Sequence, residues 1–212
     1  MVNLDGLYDA VLDGDTKGAV AVTKEALGAG VDPMELVTGQ MMRAMDEVGR
    51  RFEAEEYFVP ELLLSARAMK SALELVRPLL AERGAKPAGK VVIGTVKGDL
   101  HDIGKNLVAS MLEGAGFEVT DLGTDVSAER FVETARSTGA DIVALSALLT
   151  VTMPSMRRVV EALGEAGMRG RVKVMIGGAP VTREFAQEIG ADAYSENAAA
   201  AVAVARKAVT AA

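Results

Sequence analysis

From residue 91 onward the chain alternates between two rhythms. Short strand-like runs at Val91–Thr95, Glu118–Asp121, Asp141–Leu145, Val172–Ile176 and, weakly, Ala193–Tyr194 are separated by helical patterns over 103–115, 127–138, 153–167, 182–190 and 197–210. Strands held that far apart in sequence do not pair through tight turns. They pair in parallel, through right-handed helical crossovers. The pattern therefore predicts an α/β domain built on a five-stranded parallel sheet. Open sheets of this kind bind ligands beyond the carboxyl ends of their strands. A site is expected in the loops that leave strands one, three and four.

Residues 1–83 have a different rhythm and predict four helices packed as a bundle. Leu7, Val11 and the run Ala19-Val20-Ala21-Val22 give short amphipathic patterns, and Gly28 and Gly30 suit a helix end. Asp32-Pro33-Met34-Glu35 marks a restart, with Asp32 as cap, Pro33 in the first helical position and Glu35 reaching back as in a capping box. Leu36, Met41, Met45, Val48 and Phe52 predict one helix from Leu36 to about Glu55. A second long helix is expected from Val59 to Ala81, with Pro60 in its first turn. The polar stretch 84–90, containing Gly84, Pro87 and Gly89, reads as a linker. The expected organisation is a helical bundle over 1–83, a linker over 84–90 and a sheet domain over 91–212.

Composition narrows the function. The net charge is −7 and the pI about 4.9, which argues against a nucleic-acid face. Aromatic residues make up 4% of the chain, so base-stacking platforms are not expected either. No apolar run approaches the roughly 20 residues of a membrane span, and no signal pattern opens the chain, so a soluble cytoplasmic protein is expected. Without cysteine there is no disulfide, thiolate zinc site or iron–sulfur cluster. One histidine excludes the common multi-histidine metal sites.

That histidine stands in Gly98-Asp99-Leu100-His101-Asp102-Ile103-Gly104, directly after the first strand. A phosphate loop is set aside here: five residues separate the glycines rather than four, and Asn106 stands where a Ser or Thr would bind magnesium. By itself Asp-X-His is equally well a surface histidine without a ligand. Three features favour a ligand. The loop lies at the expected sheet edge. Asp99 is placed to accept a hydrogen bond from the ring nitrogen that does not bind metal, which fixes the tautomer and raises ligand basicity. Companion segments also end later strands: Ser146-Ala147-Leu148-Leu149-Thr150-Val151-Thr152 after the third, and Gly177-Gly178-Ala179-Pro180 after the fourth. Glycines there leave room for a bulky ligand tail, and the hydroxyls of Ser146 and Thr150 can bond its polar atoms.

Taken jointly, Asp99, His101 and Gly104, then Ser146 and Leu148, then Gly177 and Gly178 resemble the signature of cobalamin-binding domains like that of methionine synthase and of small corrinoid methyl-carrier proteins. The resemblance implies a flavodoxin-like, Rossmann-type sheet domain and a cobalamin cofactor. His101 would be the axial ligand to cobalt, with the cofactor's own base displaced into a slot in the sheet domain. An aspartate and a serine continue the hydrogen-bond relay in that family; here they correspond to Asp99 and to Thr152, which keeps the hydroxyl and adds a methyl. Gly98, Asp102, Leu148, Thr150 and Ala198 join the implied cofactor contacts. Phe58-Val59-Pro60-Glu61-Leu62-Leu63-Leu64-Ser65-Ala66-Arg67-Ala68-Met69 resembles the cap helix that covers the upper face of the corrin, which would set Phe58, with Leu62 and Met69, against the ring.

The implied function is a carrier subunit of a multicomponent methyltransferase. It would move a methyl group on cobalt from a substrate:corrinoid methyltransferase to a second methyltransferase acting on tetrahydrofolate or a thiol. A reductive activase is a further implied partner; nucleic acid and membrane are not. The cap would hinge about the linker to open the site. The alternatives are a cobalamin-dependent sensor or regulator, the cobalamin subunit of a mutase, and a corrinoid storage protein.

Overall fold

The computed structural model describes residues 3–84 and 86–210. The chain divides into two compact units. One holds the chain up to Pro87 together with Glu113–Gly116, and the other holds Ala88–Leu112 and the chain from Phe117 on. Ala85, inside the expected linker, lies outside the described residues. No helix among the described residues is long and apolar enough to cross a membrane.

The helical unit contains α1 (Asp5–Leu12), α2 (Thr16–Gly28), α3 (Pro33–Glu35), a π-helical segment (Leu36–Met41), α4 (Met42–Glu53) and α5 (Val59–Glu82). Leu7, Val11, Met45, Val48, Leu62, Met69 and Val76 are buried apolar residues of this unit, which corrects the expectation that Leu62 and Met69 present a face to the ring. Asp15 caps α2 through Gly18 N–H, and Asp32 caps α3 through Met34 N–H at 2.7 Å. Glu35 does not complete that capping box among the described residues. The reaching-back bond is made instead at α5, where Phe58 N–H donates to Glu61 Oε2 at 2.9 Å. The expected single helix from Leu36 is also corrected, because its first turns are π-helical. Leu36, Val37, Gln40 and Met41 are buried along this segment.

The second unit contains β1 (Lys90–Thr95), α6 (Ile103–Gly114), β2 (Glu118–Asp121), α7 (Ala128–Thr138), β3 (Ile142–Ser146), α8 (Met153–Glu165), β4 (Lys173–Gly177), α9 (Arg183–Ile189), β5 (Ala193–Tyr194) and α10 (Ala198–Thr210). All strand pairs are parallel and the order is β2-β1-β3-β4-β5. This is the expected flavodoxin-like α/β fold, with β3 and β4 each beginning one residue later than the apolar runs suggested. Val92, Val143, Leu145, Val174 and Ile176 from the sheet pack with Phe131, Met156 and Leu163 from helices. Burying side chains of this size contributes about 1.5–3 kcal/mol each, enough to hold the strand ends firmly in register. The chain turns to opposite sides of the sheet after β1 and after β3, so the two loops diverge and leave a crevice at their strand ends.

Candidate functional site

The loop after β1 and the loop after β3 meet at that crevice. Val96 N–H donates to Ser146 O at 3.0 Å and extends the pairing past both strand ends. Between the loops sits Asp99, whose side chain is 0% exposed. A bare carboxylate costs several kcal/mol to bury, roughly, unless donors surround it. Here they do. Asp99 Oδ1 accepts from His101 N–H at 3.1 Å and lies 2.7 Å from His101 Nδ1. Oδ2 accepts from Leu148 N–H at 2.8 Å, Leu149 N–H at 3.3 Å and Thr152 Oγ1 at 2.7 Å. Burial alone would push the carboxyl up. The Thr152 hydroxyl, the Leu148 N–H and His101 outweigh it and hold the group well below the usual carboxylate range.

An ionised Asp99 can only accept, so Nδ1 of His101 carries a proton, and in the neutral ring Nε2 is the nitrogen that bears the lone pair. The imidazole is 51% exposed, and Nε2 makes no hydrogen bond to the described residues. Thr152 has one hydroxyl proton and two acceptors in reach, Asp99 Oδ2 and Leu149 O at 2.8 Å. The charged oxygen is the stronger acceptor and takes it.

The other residues singled out by sequence are placed as follows. Gly98 sits at φ +87° beside Thr152, a backbone that glycine adopts freely. Asp102 accepts from Asn106 Nδ2 at 3.1 Å in the first turn of α6, and Gly104 has open space where a Cβ would be. Leu148 is exposed while its N–H holds Asp99. The hydroxyls of Ser146 and Thr150 make no hydrogen bond to the described residues. Ala198 is buried at the start of α10. Phe58, in the helical unit, is 63% exposed. For the glycine pair the structure supplies a reason other than room for a ligand. A Cβ on Gly178 would lie 1.9 Å from Ala147 O, and one on Gly177 3.1 Å from Ser195 O. Backbone crowding and a φ of +136° already require glycine at 178, and a side chain at 177 would be a tight fit.

Three supports escaped the sequence reading. Thr95 Oγ1 donates to His101 O at 2.8 Å. Ser155 Oγ, on α8, donates to Lys97 O at 3.0 Å. Lys105, with its side chain 1% exposed, donates to Asp121 Oδ2 and fastens the first turn of α6 to the end of β2. The polar end of β1 and a lysine directly after a loop glycine were the available signals. The Lys105 ammonium also donates to Asn106 Oδ1 at 2.6 Å.

His101 offers one neutral nitrogen donor, oriented by a buried carboxylate. Among the described residues no group of three or more His, Asp or Glu is placed to hold a metal ion. A single imidazole suits a metal whose remaining ligands arrive with it, and the donor set therefore fits the axial position of a corrinoid cobalt. Exposed Leu100 and Ile103 on the loop of His101, and exposed Leu148, Leu149 and Val151 on the loop that holds Asp99, suit the apolar flank of a large planar ligand.

Comparison with known proteins points the same way. A family model described as a B12 binding domain matches residues 89–203, and a second model of the same description matches residues 4–77. The chain is 48% identical over 192 residues to trimethylamine corrinoid protein 1 of Methanosarcina mazei, covering 90% of this chain and 89% of that protein. A crystal structure of a cobalamin-binding protein from Desulfitobacterium hafniense is 35% identical with a TM-score of 0.79, covering 98% of this chain and 99% of that one. A chain of the methanol:cobalamin methyltransferase complex from Methanosarcina barkeri is 30% identical with a TM-score of 0.88, covering 99% of this chain and 80% of that one.

Proposed function

The chain belongs to the corrinoid proteins built from B12 binding domains, and from that premise we propose that it binds a corrinoid through His101 and carries a methyl group between two methyltransferases. The observation that carries this reading is the His101–Asp99 pair, an exposed imidazole whose Nδ1 is 2.7 Å from a fully buried carboxylate. When bound, the corrinoid supplies a cobalt that can accept and release a methyl group.

The residues of this chain do the rest. His101 Nε2 is the nitrogen that would hold the cobalt. Asp99 keeps the proton on Nδ1 and stabilises positive charge drawn onto the ring by a metal. Thr152 Oγ1 and the N–H groups of Leu148 and Leu149 keep Asp99 charged. If His101 leaves the metal, Nε2 is the atom that takes up a proton. Gly98, Asp102, Gly104, Ser146, Leu148, Thr150, Gly177, Gly178 and Ala198 are the proposed cofactor contacts on the sheet domain. Residues 1–83 are the proposed cap, with exposed Phe58 on the face that meets the ring and 84–90 as the joint. Val59, Leu63 and Leu64, in the first turns of the same helix, are also exposed and suit the same role, excluding water from the methyl group.

The partners are a substrate:corrinoid methyltransferase, a second methyltransferase acting on tetrahydrofolate or a thiol, and a reductive activase. The donor methyltransferase, rather than this chain, reads the substrate. One relative is named for trimethylamine, and a chain of this fold sits in a methanol:cobalamin methyltransferase complex. A cytoplasmic location fits these partners.

The test begins with hydroxocobalamin mixed with the purified protein and passed through gel filtration. The wild type should retain the corrinoid with an imidazole-ligated visible spectrum, and His101→Ala should lose that spectrum. The loaded protein should then take up and pass on methyl label when supplied with both methyltransferases. A wild type that retains no corrinoid contradicts the proposal. Retention without methyl transfer would reduce it to storage.

A further inference from the structure

Two non-glycine residues among those described take a left-handed backbone, Glu55 at φ 59° and Asp125 at φ 56°. Residues with a Cβ bear that conformation at a cost, Asp and Asn least. Asp125 lies between β2 and α7, and its three polar groups converge on the loop that carries His101. Its N–H donates to Asp99 O at 2.9 Å. Its Oδ1 accepts from Gly98 N–H at 2.8 Å, and its Oδ2 accepts from Lys97 Nζ at 2.9 Å. The bonded residues are 27 and 28 positions away, so these are not turn-closing bonds. The neighbouring backbone is fastened too: Thr95 N–H donates to Gly123 O, and Val126 N–H to Thr95 O. Gly98 itself takes a positive φ, so the segment from Lys97 to Asp99 is a sharp turn held from outside. The Gly98 N–H and the Lys97 ammonium keep the Asp125 carboxyl below its ordinary range, as a committed acceptor requires.

We infer that Asp125 is a positioning residue for His101: by gripping Lys97, Gly98 and Asp99 from the loop after β2, it sets the angle at which Asp99 presents Oδ1 to the imidazole. The inference rests on the reading of His101 as the metal-facing ligand. It places a determinant of ligation in a loop that touches neither the imidazole nor, on that reading, the metal. Thr152 governs the charge of Asp99, and Asp125 governs where its main chain stands.

The test uses Asp125→Gly and Asp125→Asn in the full-length protein. Glycine accepts the left-handed backbone without cost and removes both carboxylate acceptors. Asparagine keeps the backbone and the Gly98 acceptor and loses the charge opposite Lys97. Because the chain has one histidine, the imidazole 15N shifts of the corrinoid-free protein belong to His101 alone. In the wild type they should show one tautomer with the proton on Nδ1. In Asp125→Gly they should move toward the average of two tautomers. Affinity for hydroxocobalamin should fall about tenfold, the usual effect of losing an outer partner of a metal ligand. Asp125→Asn should weaken it about threefold, the worth of one exposed ion pair. Wild-type imidazole shifts and affinity in Asp125→Gly would overturn the inference. If Asp125→Gly does not fold, wild-type values in Asp125→Asn overturn it instead. A wild type that binds no hydroxocobalamin contradicts the methyl-carrier reading; the imidazole shifts then decide the role of Asp125 separately.

Discussion

Two carboxylates in this molecule are pulled down in pKa by very different means. Glu47, on α4, pairs with Arg50 at 2.8 Å and Arg51 at 2.9 Å, three and four residues along one helix face, and is lowered to about 2. Asp99 is fully buried, and apart from His101 its donors come from residues 49 to 53 positions away. Glu47 meets cations that are themselves partly in water, so its pairs are screened by salt and satisfied by solvent when broken. Asp99 meets neutral donors that only the folded chain assembles, and no water replaces them. A lowered pKa alone therefore does not mark a site. A buried charge whose donors come from two strand ends, with an exposed imidazole as its outlet, does.

The comparison is broken most strongly at Asp99. Asp99→Asn keeps the size but sets an amide NH2 against at least one of the surrounding donors. It should cost about 2–4 kcal/mol of unfolding free energy in urea titration and abolish corrinoid retention. Loss of stability under about 1 kcal/mol would mean the network is less committed than its geometry. The same carboxylate governs acid stability. Its folded pKa is lowered, so the unfolded chain binds the proton more tightly. Its contribution is fully present above the unfolded value of about 3.9 and is lost as pH falls through the lower folded value. Below about pH 4 wild-type stability should fall more steeply than that of Asp99→Asn.

The Thr152 hydroxyl is a smaller lever. Thr152→Val should cost about 1.5–3 kcal/mol, the worth of one bond to a charged acceptor, and should raise the Asp99 pKa. Thr152→Ser should restore both. Equal stability of the Val and Ser variants would remove Thr152 from the relay. Glu47→Gln should change least. Its melting temperature should stay close to wild type, and any difference should vanish in high salt. A large, salt-independent loss would erase the contrast between the two carboxylates.

Much of this was legible in the sequence because it depends on local pattern. Strand and helix alternation gave the sheet domain, and the two-residue spacing of Asp99 and His101 put the carboxylate beside the ring. Thr152 was placed by resemblance to a serine of the relay, and the structure brings it to 2.7 Å from Asp99. The illegible parts depend on backbone geometry or distant neighbours. The π-helical turns at Leu36–Met41 differ from α-helix by backbone hydrogen-bond register, which apolar spacing does not report. Lys105 and Asp121 pair across the α6–β2 hairpin, and Asp125 acts through a φ angle, which no residue type reports. The glycine pair was visible as glycines, but the carbonyl of Ala147 facing Gly178, a second reason for glycine there, was not.

On the proposed reading His101 would hold the cobalt through Nε2. The most direct test of this central claim is electron paramagnetic resonance of the corrinoid-loaded protein reduced to cobalt(II), grown with and without [15N]histidine. The single histidine makes the labelling unambiguous. The account predicts an axial-nitrogen triplet at natural abundance that becomes a doublet on labelling. A triplet unchanged by the label would assign the axial nitrogen to the corrinoid's own base and contradict the claim.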